Sequence, residues 1–111
     1  MKIIAIAIVA GGLLAAASSA SAAINDAEFL KASRCKGLAD SGVANVDVAS
    51  MDAFIKDERR ARSPYALERG KVEYEKGKRE GKSVSADRRE RLAAELTGPC
   101  QAYSATVARG G

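Results

Sequence analysis

The 111-residue chain contains no histidine and no tryptophan, and it has only two cysteines and two prolines. The absence of histidine removes the commonest general acid–base group, the Ser-His and Cys-His nucleophile pairs, and the usual zinc and haem ligands. The sequence also lacks a Cys-x-x-Cys-His motif and a phosphate-cradling glycine loop. We therefore predict no catalytic residue, no metal site and no cofactor, and we expect a protein that is not an enzyme.

The first 22 residues have the order of a secretory signal peptide. Lys2 precedes the apolar run 3–17, and small residues follow it. The run is about 15 residues long, shorter than the roughly 20 that a membrane-spanning helix needs. We expect cleavage before Ala23, which removes residues 1–22 and exports the mature chain 23–111, without a transmembrane segment, to the periplasm or the extracellular medium. A retained membrane anchor is the alternative interpretation.

Cys35 and Cys100 are the only cysteines, and export would place them in an oxidising compartment where disulfides form. Cleavage leaves about 90 residues, and a domain of that size buries too little apolar surface to be more than marginally stable. A Cys35–Cys100 bridge would close a loop of about 66 residues, worth roughly 4 kcal/mol in the chain-entropy model. A redox pair would normally show the Cys-x-x-Cys spacing. We therefore predict a structural disulfide.

Helical signals dominate the mature chain, and the region 42–49 is interpreted as a connector in which Val46 and Val48 alternate as in a strand. The sequence predicts an all-α fold, a single small domain (23–111) built as a bundle of four to five short helices. We expect the disulfide to join the first and last helices and residues 110–111 to form a frayed tail. The predicted helices run from Asn25 to Ser41, Ser50 to Arg62, Pro64 to Lys82, Ser83 or Ser85 to about Thr97, and from Pro99 onward.

The dipeptide Ser63-Pro64 either starts a new helix or kinks a longer one. Proline suits the first turn of a helix and disrupts its interior, and serine is a good N-cap. We therefore favour a new helix that begins at this point.

The segment from Tyr65 to Lys82 carries glycines at regular spacing. Steps of three and four residues place a set of side chains on one heptad seam: Leu67, Gly70, Tyr74, Gly77 and Gly81. Three glycines would let a neighbouring backbone approach closely, but each costs about 0.8–1 kcal/mol against alanine in a helix interior. The pattern fits either a close-packed helix contact or a weak, fraying helix.

Charge is distributed unevenly along the chain. Residues 23–58 contain 7 acidic and 4 basic side chains, whereas residues 59–92 contain 12 basic and 6 acidic ones. Region 59–91 is therefore the predicted interaction surface, and its two arginine clusters are Arg59, Arg60 and Arg62, and Arg88, Arg89 and Arg91. The competing interpretation is an ordinary solvated surface, since glutamates alternate with the cations.

These patterns favour an exported, non-enzymatic binding module whose basic surface contacts an envelope protein or an anionic envelope polymer. Nucleic acid is not an expected partner, because the protein is exported and aromatic residues are sparse among the cations. One alternative is a stress or chaperone-like protein whose charged middle segment loosens near pH 4 through its carboxylates. Another is a small hydrolase, which requires a concave pocket that contains two carboxylates.

Overall fold

The computed structural model describes residues 24–104, and all regular secondary structure in that range is helical. Four α-helices precede a short 3-10 helix, in the order α1 (Asp26–Ser41), α2 (Val48–Arg59), α3 (Pro64–Glu80), α4 (Ala86–Thr97) and the 3-10 helix Pro99–Tyr103. The predicted all-α class is thus confirmed. The predicted signal peptide (1–22) and the predicted frayed tail (110–111) lie outside the described residues.

Side-chain caps define three of the helix starts, and of the two predicted starts for α4, Ser83 and Ser85, the structure has Ser85 as the cap. Asn25 caps α1, Ser63 caps α3 and Ser85 caps α4, each by accepting a backbone N–H from the first helical turn. Pro64 is the first residue of α3, which confirms a new helix at this point rather than a kink. Gly42 ends α1 with φ of 80°, a left-handed conformation that glycine adopts without steric cost.

The predicted start and end of α2 were wrong. The helix begins before the predicted start at Ser50, because Asp47 is the N-cap and its carboxylate accepts the backbone N–H of Ser50 at 3.0 Å. Val48, which the alternation pattern assigned to a connector, is the first helical residue. A carboxylate at the positive end of the helix supplies both a hydrogen bond and a favourable charge–dipole interaction. The helix also ends at Arg59, three residues before the predicted end.

The last predicted α-helix is a 3-10 helix of 5 residues, Pro99–Tyr103, within the described range. Gly98 leaves the helical region with φ of −108° and ψ of −102°, so the chain turns sharply before Pro99. The side chain of Gln101 then donates to the carbonyl oxygen of Leu96 at 2.8 Å and holds the turn against the end of α4. This tight turn brings Cys100 towards α1.

The disulfide between Cys35 and Cys100 joins α1 to the 3-10 helix, as the sequence predicted. The two Cα atoms are 5.6 Å apart, and the residues are 4% and 1% exposed. The bridge lies within the main apolar cluster, whose other buried members are Leu38, Ala39, Met51, Leu92 and Leu96. The covalent link therefore connects elements that a small core alone would hold weakly.

α3 packs against α1 backbone to backbone. Phe29 contacts Gly70, Gly37 contacts the backbone of α3 near Tyr74, and Ser41 contacts Gly81, so the two helices run parallel. A Cβ atom on Gly77 would overlap the carbonyl oxygen of Arg34 on α1. The glycines of the predicted seam therefore lie in a close helix contact, which small residues permit.

α1 contributes a matching set of small residues that the sequence analysis missed. Ser33, Gly37 and Ser41 recur every four residues and face the glycines of α3. A Cβ atom on Gly37 would overlap the carbonyl oxygen of Tyr74. The four-residue spacing is present in the sequence, but small residues alone do not identify the helix that they contact.

Candidate functional site

A groove with a volume of about 630 Å³ lies between α2 and α3, and α1 forms its floor. Both α2 and α3 pack on α1, whereas they make little contact with each other along their lengths. The short turn 60–63 joins the two walls at one end. We call this feature the α2–α3 groove.

The floor of the groove is apolar and closely packed. Phe29 is 2% exposed, and its ring fills the space beside Gly70, where a Cβ atom would lie 2.7 Å from Cε2. Ser33 is also buried, and its hydroxyl donates to the carbonyl oxygen of Phe29 at 2.9 Å. Half-buried Ile55 and Leu67 add apolar surface from the two opposite walls. The groove therefore has an apolar centre, and the backbone polar groups of its walls and floor are already hydrogen-bonded within the helices.

Cations line the rim of the groove on both walls. Exposed Lys56 and Arg59 come from α2, and exposed Lys71 comes from α3. Among the described residues, no carboxylate lies within ion-pairing distance of these three side chains. We refer to Lys56, Arg59 and Lys71 as the rim cations. Their unneutralised charges give the rim a positive potential, which two further lining residues, Asp52 and Glu68, only partly offset.

Lys36, the fourth cation of the groove, is engaged within the protein. Its Nζ lies 2.8 Å from Asp40 Oδ2 and 5.6 Å from the centre of the Tyr74 ring, and the Tyr74 hydroxyl donates to Asp40. Burial alone would raise the pKa of Asp40, but the hydrogen bonds from Lys36 and Tyr74 outweigh it and lower that pKa. The hydrogen bond to Asp40, together with burial, raises the pKa of Tyr74 to about 12. This cluster fixes Tyr74 of the predicted seam between α1 and α3.

Arg62 does not belong to an exposed basic surface, and its assignment to the predicted interaction surface was wrong. Its side chain is 5% exposed and donates to Asp26 at 2.8 Å and to the carbonyl oxygen of Ile24 at 2.6 Å. The guanidinium also lies 5.6 Å from the centre of the Phe29 ring. Arg62 therefore anchors the start of α1 to the turn between α2 and α3.

The other five predicted arginines do not converge on one site. Only Arg59 lines the groove, and α4 contributes no residue to it. The remaining four arginines lie at exposed positions outside the groove, and they are Arg60, Arg88, Arg89 and Arg91. The sequence analysis missed Lys56 and Lys71 as members of a common site, because no local motif connects them.

A second ionic cluster joins three helices away from the groove. Arg34 of α1 donates to both carboxylate oxygens of Glu95 on α4, at 2.9 and 3.1 Å, and to Glu80 of α3 at 2.6 Å. The hydrogen bond from Arg34 lowers the pKa of Glu80. Glu95 also lies close to Cys35 and Cys100, but the two sulfur atoms are bonded to each other and offer no thiolate to a metal ion. This cluster is therefore interpreted as structural.

Two carboxylates, Asp52 and Glu68, line the groove, so it meets the stated structural requirement of the hydrolase alternative. Both are exposed at the rim, and the Asp52 side chain is 58% exposed and lies 3.8 Å from Lys36. Neither carboxylate is buried, whereas a carboxylic acid that acts as a general acid normally occupies a desolvated site. The hydrolase alternative stays a prediction without further support from the groove.

Comparison of the chain with protein-family models, with curated proteins and with solved structures found no match. None of the helices within residues 24–104 combines the length and the apolar character needed to cross a bilayer.

Proposed function

We propose that this protein is an exported, non-enzymatic binding module that holds an acidic segment of another envelope macromolecule in the α2–α3 groove. The observation that carries this proposal is the arrangement of the rim cations. Lys56, Arg59 and Lys71 stand unpaired on both sides of an apolar floor. An acidic partner would neutralise these charges while its apolar groups cover Ile55 and Leu67.

The use of charge elsewhere in the molecule supports this assignment. Arg34 and Arg62 connect helices through short ion pairs, so their charges are satisfied internally. The rim cations make no such connection in the described part of the chain, and they border an apolar surface rather than a fully polar one. Unpaired cations around an apolar centre increase the rate of association with an acidic partner and help to select it.

Charge reversal at the rim tests the proposal. A triple variant, Lys56→Glu, Arg59→Glu and Lys71→Glu, is compared with a control that reverses three exposed cations outside the groove, Lys76→Glu, Arg79→Glu and Lys82→Glu. Both sets change the net charge equally, and both include cations near the C-terminus of a helix. A difference in binding between the two variants therefore depends on where the reversed charges lie and not on how many charges are reversed.

The measurement is binding to poly-L-glutamate at two salt concentrations, together with crosslinking in the native envelope followed by mass spectrometry. We expect the groove variant to lose salt-dependent binding and its crosslinked partner, and the control to retain both. Equal binding by the two variants, whether retained or lost, would overturn the proposal.

The carboxylates that hold α3 on α1 support a second candidate, the acid-responsive chaperone-like protein. Asp40 accepts a hydrogen bond from Tyr74, and Glu80 accepts one from Arg34. Both carboxyl groups have lowered pKa values, so their stabilisation is present at neutral pH and is lost below about pH 4. Circular dichroism and client-aggregation assays from pH 7 to pH 3 test this candidate, and a flat response in both would remove it.

A further inference from the structure

We infer that the acidic segment bound in the α2–α3 groove is an amphipathic α-helix of two to three turns, with carboxylates on both sides of an apolar stripe. This inference rests on the proposed function, because it names the chemistry and the conformation of the partner at the same site. It commits to a polypeptide rather than to a lipid or a polysaccharide.

The shape of the groove matches a short helix. Its lining residues extend from Asp52 to Arg59 on α2 and from Pro64 to Tyr74 on α3, which corresponds to about 10 and about 15 Å of helical rise. Its two walls are themselves helices that rest on a third one. A furrow of this kind accepts the ridge of side chains that a further helix presents, as in helix-in-groove recognition.

The apolar residues of the groove lie where the stripe of such a helix would contact them. Ile55 and Leu67 project from opposite walls and remain half-buried, above the fully covered ring of Phe29. A helix with apolar residues at every third or fourth position would bury the remaining exposed surface of both side chains. In an extended conformation the same spacing of three and four residues would divide the apolar groups between two opposite faces, and only one face could contact the groove.

The positions of the rim cations distinguish a helix from a single head group. Lys56 and Arg59 lie about one helical turn apart on one wall, and Lys71 lies on the other wall. A bound helix can present carboxylates along both of its flanks, in the way that flanking charges pair across a coiled coil. One anionic head group would engage one cluster of cations at one end of the groove. The distribution along both walls therefore favours a polypeptide.

Defined probes test the inference on the mature, disulfide-bonded protein. The first probe is a synthetic peptide of about 15 residues, long enough to form a helix, with a leucine stripe flanked by glutamates. The second has the same composition with the leucines scattered around the helix, and the third has the original stripe flanked by lysines. The fourth probe is a phosphatidylglycerol vesicle. Binding is measured by calorimetry, and the methyl NMR signals of Ile55 and Leu67 report where each probe binds.

We expect the first peptide to bind at least tenfold more tightly than the second or the third, and to shift the methyl signals of Ile55 and Leu67. Equal binding of the first two peptides would overturn the helical inference while the proposed function stands. Binding of vesicles at these methyl groups without binding of the first peptide would also overturn it and point to a lipid. Failure of both the first peptide and poly-L-glutamate to bind would reject the proposed function itself.

Matched substitutions on α3 provide a second readout. Leu67→Asp places a carboxylate inside the groove, whereas Val72→Asp places one at a position that is 53% exposed and outside it. We expect the first substitution to weaken peptide binding at least tenfold and the second to leave it within twofold. If Leu67→Asp prevents folding, the double variant Lys56→Glu and Arg59→Glu replaces it, because both side chains are exposed. Unchanged binding by that variant would contradict the inference.

Discussion

Replacing Gly77 with alanine adds a methyl group where α3 meets the backbone of α1. The new Cβ atom would overlap the carbonyl oxygen of Arg34, which belongs to a helix and cannot move independently. The substitution gains about 0.8–1 kcal/mol of helix propensity, but overpacking against a rigid neighbour costs typically 1–3 kcal/mol or more. Because the overlapping atom is a backbone oxygen rather than the end of a flexible side chain, we place the overpacking cost at about 2–3 kcal/mol. We therefore expect a net loss of about 1–2 kcal/mol in the free energy of unfolding, which lowers the Tm of a domain of this size by about 5–15 °C.

Gly70→Ala is the matched control on the same helix. It gains the same helix propensity, and its Cβ would meet side-chain atoms, Cε2 of Phe29 at 2.7 Å and Oγ of Ser33 at 3.0 Å, rather than a backbone atom of α1. We expect Gly70→Ala to be less destabilising than Gly77→Ala in thermal unfolding followed by circular dichroism, with the disulfide intact. Equal stabilities, or a Gly77→Ala variant more stable than the natural protein, would refute the close backbone contact between α1 and α3.

Three further predictions concern the elements that hold the fold together. Replacing both Cys35 and Cys100 with alanine should lower the free energy of unfolding by about 3–4 kcal/mol in urea titrations, and a loss below about 1 kcal/mol would contradict the role of the bridge. The ionised Glu80 carboxylate stabilises the fold, and its lowered pKa means that this stabilisation is lost as the pH falls below about 4. The free energy of unfolding of the Glu80→Gln variant should therefore decrease less between pH 7 and pH 3 than that of the natural protein. Arg62→Ala should lower the free energy of unfolding by about 1–3 kcal/mol, whereas Arg60→Ala, at an exposed position, should lower it by less than about 0.5 kcal/mol. Equal shifts of the Tm in the two variants would refute the anchoring role of Arg62.

Local chemistry made several helix ends predictable. Asn25, Ser63 and Ser85 act as caps through hydrogen bonds to backbone groups about three residues away, so the sequence contains the whole interaction. The start of α2 was less determined, because Asp47 and Ser50 are both good capping residues and only one can occupy the position. The sequence offers no local rule that ranks them.

The remaining features depend on contacts between segments that are distant in the sequence, so local patterns could not predict them. The spacing of Gly70, Gly77 and Gly81 indicated a seam, but its partner Gly37 depends on which helix packs against α3. Arg62 pairs with Asp26, 36 residues earlier, and this pairing removes it from the surface. A net charge calculated from composition includes every cation equally, whereas only the folded structure shows which cations form ion pairs. The α2–α3 groove, built from three helices, has no counterpart in any local motif.

A site-specific crosslinking experiment in the native envelope tests the central claim most directly. A photoreactive amino acid replaces Leu67 inside the groove in one strain and Val72 outside it in another. We predict that position 67 captures a discrete partner whose attached peptide is acidic and amphipathic, and that position 72 does not capture it. Capture of that partner from position 72 alone, or no adduct from position 67, would contradict a functional groove.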